Sequence, residues 1–161
     1  MALKRLQSEY KQYLQDPNYF YSIEPNDNNF FIWDVLLFGA PDTIFEGGIF
    51  KCQFKFTQYY PNKPPEFKFI SNLPHPNIYL DGKVCISILH EGTDVWGYET
   101  ISERWNPSHS VNSILLSILS MLSNPNFESP ANVDASVLWR DNWNEYKKRV
   151  YKIVAKSQVL I

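Results

Sequence analysis

The chain is short of the residues that usually announce a chemistry. Its only cysteines are Cys52 and Cys85, too few in 161 residues for a disulfide-stapled scaffold, and their scarcity points to a reducing compartment. Three scattered histidines, His75, His90 and His109, come without Cys-x-x-Cys or His-x-x-x-His spacing, so no metal site is expected. A net charge of −2 provides no global field for nucleic acid or an anionic membrane. No run approaches the roughly 20 apolar residues that span a bilayer, and the opening "MALKRLQSEYKQYLQ" lacks the apolar centre of a signal peptide. A cytoplasmic or nuclear location, without membrane insertion, is the expectation.

What is present argues for a single packed domain over 1–161. Hydrophobic residues make up 44% and aromatics 16%, enough for a dense core, while 20% charged residues keep the surface wet. A chain of this length buries about two-thirds of its unfolded surface and needs no metal or disulfide staple.

Leu3, Leu6, Tyr10 and Tyr13 or Leu14 recur at helical spacing, and Asp16-Pro17-Asn18 stops that helix. From Tyr19 to Ile70 short apolar runs alternate with turn residues such as Pro25-Asn26-Asp27-Asn28-Asn29 and Gly39-Ala40-Pro41-Asp42, the pattern of a four-stranded antiparallel meander. Within "IFKCQFKF", Phe50, Cys52, Phe54 and Phe56 share one face and Lys51, Gln53 and Lys55 the other, so Cys52 reads as core.

Residues 70–110 show little periodicity, and a segment that long without regular structure is usually functional. Helical spacing returns at Val111, Ile114, Leu115, Ile118, Leu119 and Leu122, with Ser110 as N-cap and Asn124-Pro125 as stop. A shorter helix around Asn132–Trp139 precedes a last one that puts Trp143, Tyr146, Val150 and Ile153 or Val154 on one face. Helix, four strands, long irregular segment, then helices is a segregated α+β architecture.

The stretch "HPNIYLDGKVCISILHEG" holds Cys85 with no catalytic base beside it. On the residues alone Cys85 is an inert core thiol, a redox thiol without a nearby resolving cysteine, a protease nucleophile awaiting a histidine from elsewhere, or a nucleophile of another kind. The turn at Asp81-Gly82 and the anchors Ile86 and Ile88 favour a thiol at the rim of the core.

Several motifs in order then resemble the ubiquitin-conjugating enzymes over nearly the whole chain. They are "FGAPDTIFEGGIF", with Phe45 where tyrosine is common, "YYPNKPPEFKF", His75-Pro76-Asn77 followed by Gly82 and Val84-Cys85, then Trp105-x-Pro107 and "LLSILSMLSNPN". The resemblance implies that Cys85 accepts ubiquitin from an activating enzyme as a thioester and passes it to a lysine of a substrate or of another ubiquitin. ATP would be used by the activating enzyme, with no cofactor bound here. Transfer between thiols is nearly neutral in bond energy, which explains the missing base.

By the same resemblance Asn77 supports the oxyanion formed when lysine attacks, or holds the loop, with His75 and Pro76 fastening it. Tyr79 would meet the incoming amine or pack. The acid that many members place after the Pro-Asn pair is replaced by Ser129, with Glu128 beside it. Lys4, Arg5 and Lys11 would contact the activating enzyme. A RING-type ligase would touch Pro61, Asn62, Lys63 and Pro64 together with Asn106, Pro107 and Ser108, although Asn62 stands where many members carry an apolar anchor.

Between Cys85 and Trp105 the chain is longer than the common pattern and acidic at Glu91, Asp94, Glu99 and Glu103. This resembles the branch serving endoplasmic-reticulum-associated degradation and cullin-type ligases, which implies chains of the proteasome-targeting linkage and recruitment to that membrane by a partner. A catalytically inactive ubiquitin-binding variant, or a conjugator of a ubiquitin-like modifier, is the alternative.

Overall fold

A computed structural model describes residues 1–92 and 103–159. Helix α1 (Ala2–Gln15) leads into strands β1 (Tyr21–Pro25), β2 (Ile32–Phe38), β3 (Ile49–Lys55) and β4 (Glu66–Phe69). A single 3-10 turn (Ser87–Leu89) follows, then α2 (Val111–Ser123), α3 (Val133–Asp141) and α4 (Trp143–Val159). The strands form one antiparallel sheet in the order β1-β2-β3-β4, the expected meander.

Register follows from side-chain alternation, because a slip of one residue would turn every apolar side chain toward water. Phe50, Cys52 and Phe54 of β3 are buried while Lys51 and Lys55 are exposed, and Cys52 lies opposite Val35 of β2 and Phe69 of β4. Onto this sheet pack Leu6 of α1, Ile114, Leu115, Ile118 and Leu122 of α2, and Tyr146 and Val150 of α4. The far end of α4 is stitched to β3: Ile49 N–H donates to Ser157 Oγ at 3.0 Å and Gln158 Nε2 to the Gly47 carbonyl at 2.8 Å.

The apolar stripe of α1 differs from the expected one. Ala2 and Leu6 are buried with Tyr10 and Tyr13 against the core, whereas Leu3 and Leu14 are 42% and 58% exposed. At about 100° per residue Ala2, Leu6 and Tyr13 line up, and Leu3 and Leu14 fall a quarter-turn away. Helix α2 starts as its sequence requires: Ser113 N–H donates to Ser110 Oγ, and Ser110 N–H donates to Ser113 Oγ. No helix among the described residues is long and apolar enough to cross a membrane.

Candidate active site

Residues 75–85 form a small hairpin rather than an irregular loop. Ile78 pairs with Val84, Tyr79 N–H donates to the Lys83 carbonyl, and Gly82 N–H closes the turn onto the Tyr79 carbonyl at 2.9 Å. Gly82 sits at φ +96°, and a Cβ there would lie 2.1 Å from the Phe69 carbonyl oxygen, so the turn needs glycine on both counts. Phe69 N–H donates to the Gly82 carbonyl at 2.8 Å, hanging the hairpin on β4.

The hairpin brings Cys85 beside Asn77, since Cys85 N–H donates to the Asn77 carbonyl at 2.9 Å. Cys85 is half-buried, in contrast to the enclosed Cys52. The Asn77 side chain reaches across 49 residues: its Nδ2 donates to the Asn126 carbonyl at 2.8 Å, and its Oδ1 accepts the Asn126 N–H at 2.9 Å. An amide NH2 carries two protons, so one remains beyond the bond to Asn126. The Pro76 carbonyl accepts the N–H groups of Ala131 and Asn132, which fixes the other end of the 126–132 loop.

His75 is fully buried under this platform. Its Nδ1 accepts the Asn77 N–H at 3.0 Å, so its proton resides on Nε2, which faces the carbonyls of Met121 and Leu122 at 3.1 and 3.0 Å. Burial lowers its pKa to about 4, outweighing the opposing effect of those carbonyls, and the imidazole is neutral. Both ring nitrogens are held by backbone, and neither is available to Cys85.

Tyr79 is 47% exposed and stands against Cys85, whose sulfur raises the phenol pKa by charge and by hydrogen bonding. Burial likewise pushes the Cys52 thiol well up.

A cleft of about 880 Å³ opens over Cys85 and Asn77 and is lined also by Ser87, His90, Glu103, Glu128 and Ser129. Its far wall is the polar stripe of α2, Ser117, Ser120 and Asn124, a helix that sequence periodicity had marked only as core. The three-to-four spacing of those residues carried the signal. Asn126, the partner of Asn77, was likewise visible only as part of "NPN". Among the described residues no three His, Cys, Asp or Glu side chains come together to hold a metal ion.

The described residues on either side of the acidic insertion are tied together in a neck. Trp105 N–H donates to the His90 carbonyl at 2.8 Å, and Arg104 donates to the carbonyls of Gly92 at 3.0 Å and Glu91 at 2.7 Å. Glu91 and Glu103 are exposed at its base; Asp94 and Glu99 lie outside the described residues.

The two segments expected at a ligase surface are joined, because Trp105 Nε1 donates to the Pro61 carbonyl at 2.9 Å. Asn62, Lys63, Pro107 and Ser108 are exposed, and Pro61, Pro64 and Asn106 are half-buried. Lys4 and Lys11 project from α1, but Arg5 is engaged within the chain. It pairs with Glu9 at 3.0 Å, donates to the carbonyls of Pro107 and His109, and lies 5.7 Å over the Tyr60 ring. Glu9 in turn accepts from the Tyr60 hydroxyl and from Val111 N–H, tying α1 to the start of α2. Burial, reinforced by the Glu9 carboxylate, raises the Tyr60 pKa.

Comparison with known proteins agrees with this geometry. A family model described as ubiquitin-conjugating enzyme matches residues 5–154. A probable ubiquitin-conjugating enzyme E2 7 of Caenorhabditis elegans is 56% identical over 134 residues, 83% of this chain and 82% of the relative. The ubiquitin-conjugating enzyme E2 7 of Arabidopsis thaliana is also 56% identical, covering 83% of this chain and 81% of the relative. The human ubiquitin-conjugating enzyme E2 G2 is 51% identical over 158 residues, 97% of this chain and 96% of its own. A match of this depth, running through the hairpin, the cleft and the helices behind them, places the chain in the ubiquitin-conjugating enzyme family.

Proposed function

We propose that Cys85 is the residue that carries ubiquitin, and that the cleft above it is where a lysine collects the cargo. Membership of the family makes the chain a ubiquitin-conjugating enzyme, working with ubiquitin, an activating enzyme, ligases and substrate lysines. The observation that carries the residue assignment is the half-buried Cys85 thiol bonded through its backbone to Asn77 at the floor of the cleft.

In the first step the Cys85 thiolate attacks the thioester carbonyl presented by the activating enzyme, whose own thiolate leaves. In the second a neutral lysine amine attacks the Cys85 thioester. The carbonyl oxygen takes up negative charge, the C–S bond breaks, and the amine gives up a proton as the isopeptide bond forms. The spare Asn77 Nδ2 proton is the donor suited to that oxyanion, and a preorganised donor of this kind contributes about 2.7–4 kcal/mol. Glu128 and Glu103, lining the cleft, favour approach of a cationic lysine, while Ser129 supplies no charge. The exposed Tyr79 hydroxyl stands where the amine must pass.

Partner surfaces follow the same reading. Lys4 and Lys11 present positive charge to the activating enzyme, and Arg5 shapes the 107–109 loop rather than offering a free charge. The adjoining 61–64 and 106–108 loops would receive a RING-type ligase. The acidic insertion supports a reading in which the chain belongs to the branch serving endoplasmic-reticulum-associated degradation and cullin-type ligases, builds proteasome-targeting chains, and works in the cytoplasm or nucleus with a partner to recruit it to that membrane. On this reading the chain itself needs no cofactor, ATP being consumed by the activating enzyme.

The test is to mix chain, activating enzyme, ATP and ubiquitin and look for a thiol-sensitive adduct. Cys85→Ala should form none and Cys85→Ser a thiol-resistant ester. An adduct on Cys85→Ala, or none on wild type, refutes the assignment. Excising 90–103 should leave charging largely intact and change chain products or rate; unchanged products and rates would remove the insertion from the mechanism.

A further inference from the structure

Lysine is missing from one long part of the chain. From Ile86 to Tyr146 there is none, so α2, the 126–132 loop and α3 offer no amine to the cleft. One lysine does stand beside the thiol: Lys83, two residues before Cys85.

The hairpin turns these two side chains the same way. Between them Val84 is buried in the core, whereas Lys83 is exposed and Cys85 half-buried. Alternate residues of a strand share a face, so Lys83 and Cys85 lie on the outer one, about 7 Å apart along the backbone. Tyr79, opposite Lys83 in the hairpin, stands against the Cys85 sulfur. On the other side Lys83 is bridged to Lys68 of β4, and Val84 N–H donates to the Phe67 carbonyl, a register that sets the exposed Glu66 opposite Cys85. Like charges facing each other across a ladder repel and opposite ones attract. Lys68 and Glu66 therefore both bias the Lys83 ammonium along the strand toward Cys85.

From this placement we infer that Lys83 is an intramolecular acceptor, at which the charged chain modifies itself. The inference rests on the proposed thioester at Cys85. After giving one proton to water, the Lys83 amine attacks the thioester carbonyl carbon. An isopeptide bond forms, the C–S bond breaks, Cys85 leaves as the thiolate, and the nitrogen passes its surplus proton to water. The flexible four-carbon stem of lysine spans the gap, and attachment to the same chain gives the amine an effective concentration that a diffusing acceptor must match. The charged enzyme thus discharges onto itself when no acceptor arrives.

The experiment charges the chain with lysine-methylated ubiquitin, stops charging, and follows it with no acceptor added. A thiol-resistant adduct of one ubiquitin should grow at a first-order rate that stays constant within about two-fold over an about fifty-fold dilution of the chain. Peptide mapping should find the Gly-Gly remnant on Lys83. Lys83→Arg should lower the adduct at least about ten-fold, with charging and discharge to free lysine within about two-fold of wild type. Lys68→Arg, which keeps the opposing charge, should leave the Lys83 adduct in place. Modification of other amines with Lys83 untouched, a rate proportional to chain concentration, or a charged chain that forms no adduct overturns the proposal and leaves the thioester reading standing. Failure of the wild-type chain to charge at Cys85 overturns both.

Discussion

Strand β3 and the 75–85 hairpin each carry one cysteine, and β4 lies between them. Cys52 is 2% exposed, between Val35 and Phe69 in the register of the sheet. Cys85 stands one residue beyond the Ile78–Val84 bridge, where the hairpin ends and a cleft begins. The same side chain is thus a small apolar core group in one place and an accessible thiol in the other. Sheet continuity on both sides makes the difference: β3 is flanked by β2 and β4, whereas the Cys85 backbone bonds to the Asn77 carbonyl at the end of the hairpin and its residue borders the cleft.

The sharpest way to break this contrast is alkylation of the native chain. Iodoacetamide should label Cys85 at least about a hundred-fold faster than Cys52, which reacts only when β3 opens. Peptide mapping that finds both labelled at similar rates would contradict it.

The second prediction concerns the partner of Cys85. Asn77→Asp keeps an acceptor for Asn126 N–H but removes the donor, and discharge to lysine should fall about 10²–10³-fold while charging stays within a few-fold. Single-turnover assays of the two steps check this, and parallel losses in both would make Asn77 purely a clamp.

The third tests the platform under the hairpin. His75 has a folded pKa of about 4 against 6.5 when unfolded, so the unfolded chain binds more protons between those values. Stability from this group is fully present above about pH 6.5 and is lost as pH falls toward 4, by about 3 kcal/mol at most. Denaturant titrations across that window should show a shallower pH slope in His75→Asn; identical slopes would show that His75 does not contribute.

The smallest effect belongs to the core cysteine. Cys52→Ser places a hydroxyl in an apolar strand and should cost about 1–3 kcal/mol in denaturant unfolding while leaving charging unchanged. Lost charging in a folded variant would assign Cys52 a role that β3 does not suggest.

Much of the fold was legible in the residues. The alternation in "IFKCQFKF" assigned β3 and the burial of Cys52, and Ser110 with Asn124-Pro125 bounded α2 within a residue. The Asp81-Gly82 turn was readable too, although the segment around it showed no periodicity because the ladder it makes is only a few residues long. Less legible was the outer wall of the cleft. Ser117, Ser120 and Asn124 read as the solvent side of a core helix, since helical spacing gives a face but not what that face borders. The engagement of Arg5 was hidden for a similar reason, its acceptors being carbonyls a hundred residues away.

The sequence by itself determined the local elements, the core face of each and the presence of a lone thiol after a glycine turn, because these depend on side-chain period and on backbone freedom at single positions. Only the tertiary structure decided what that thiol meets. The Asn77–Asn126 clamp, the Pro76 contacts with 131–132 and the Arg104 neck all join separate segments of the chain. Their partners are mostly backbone groups, which every residue carries, so no residue type marks them in advance; packing of the helices on the sheet is what brings them within reach.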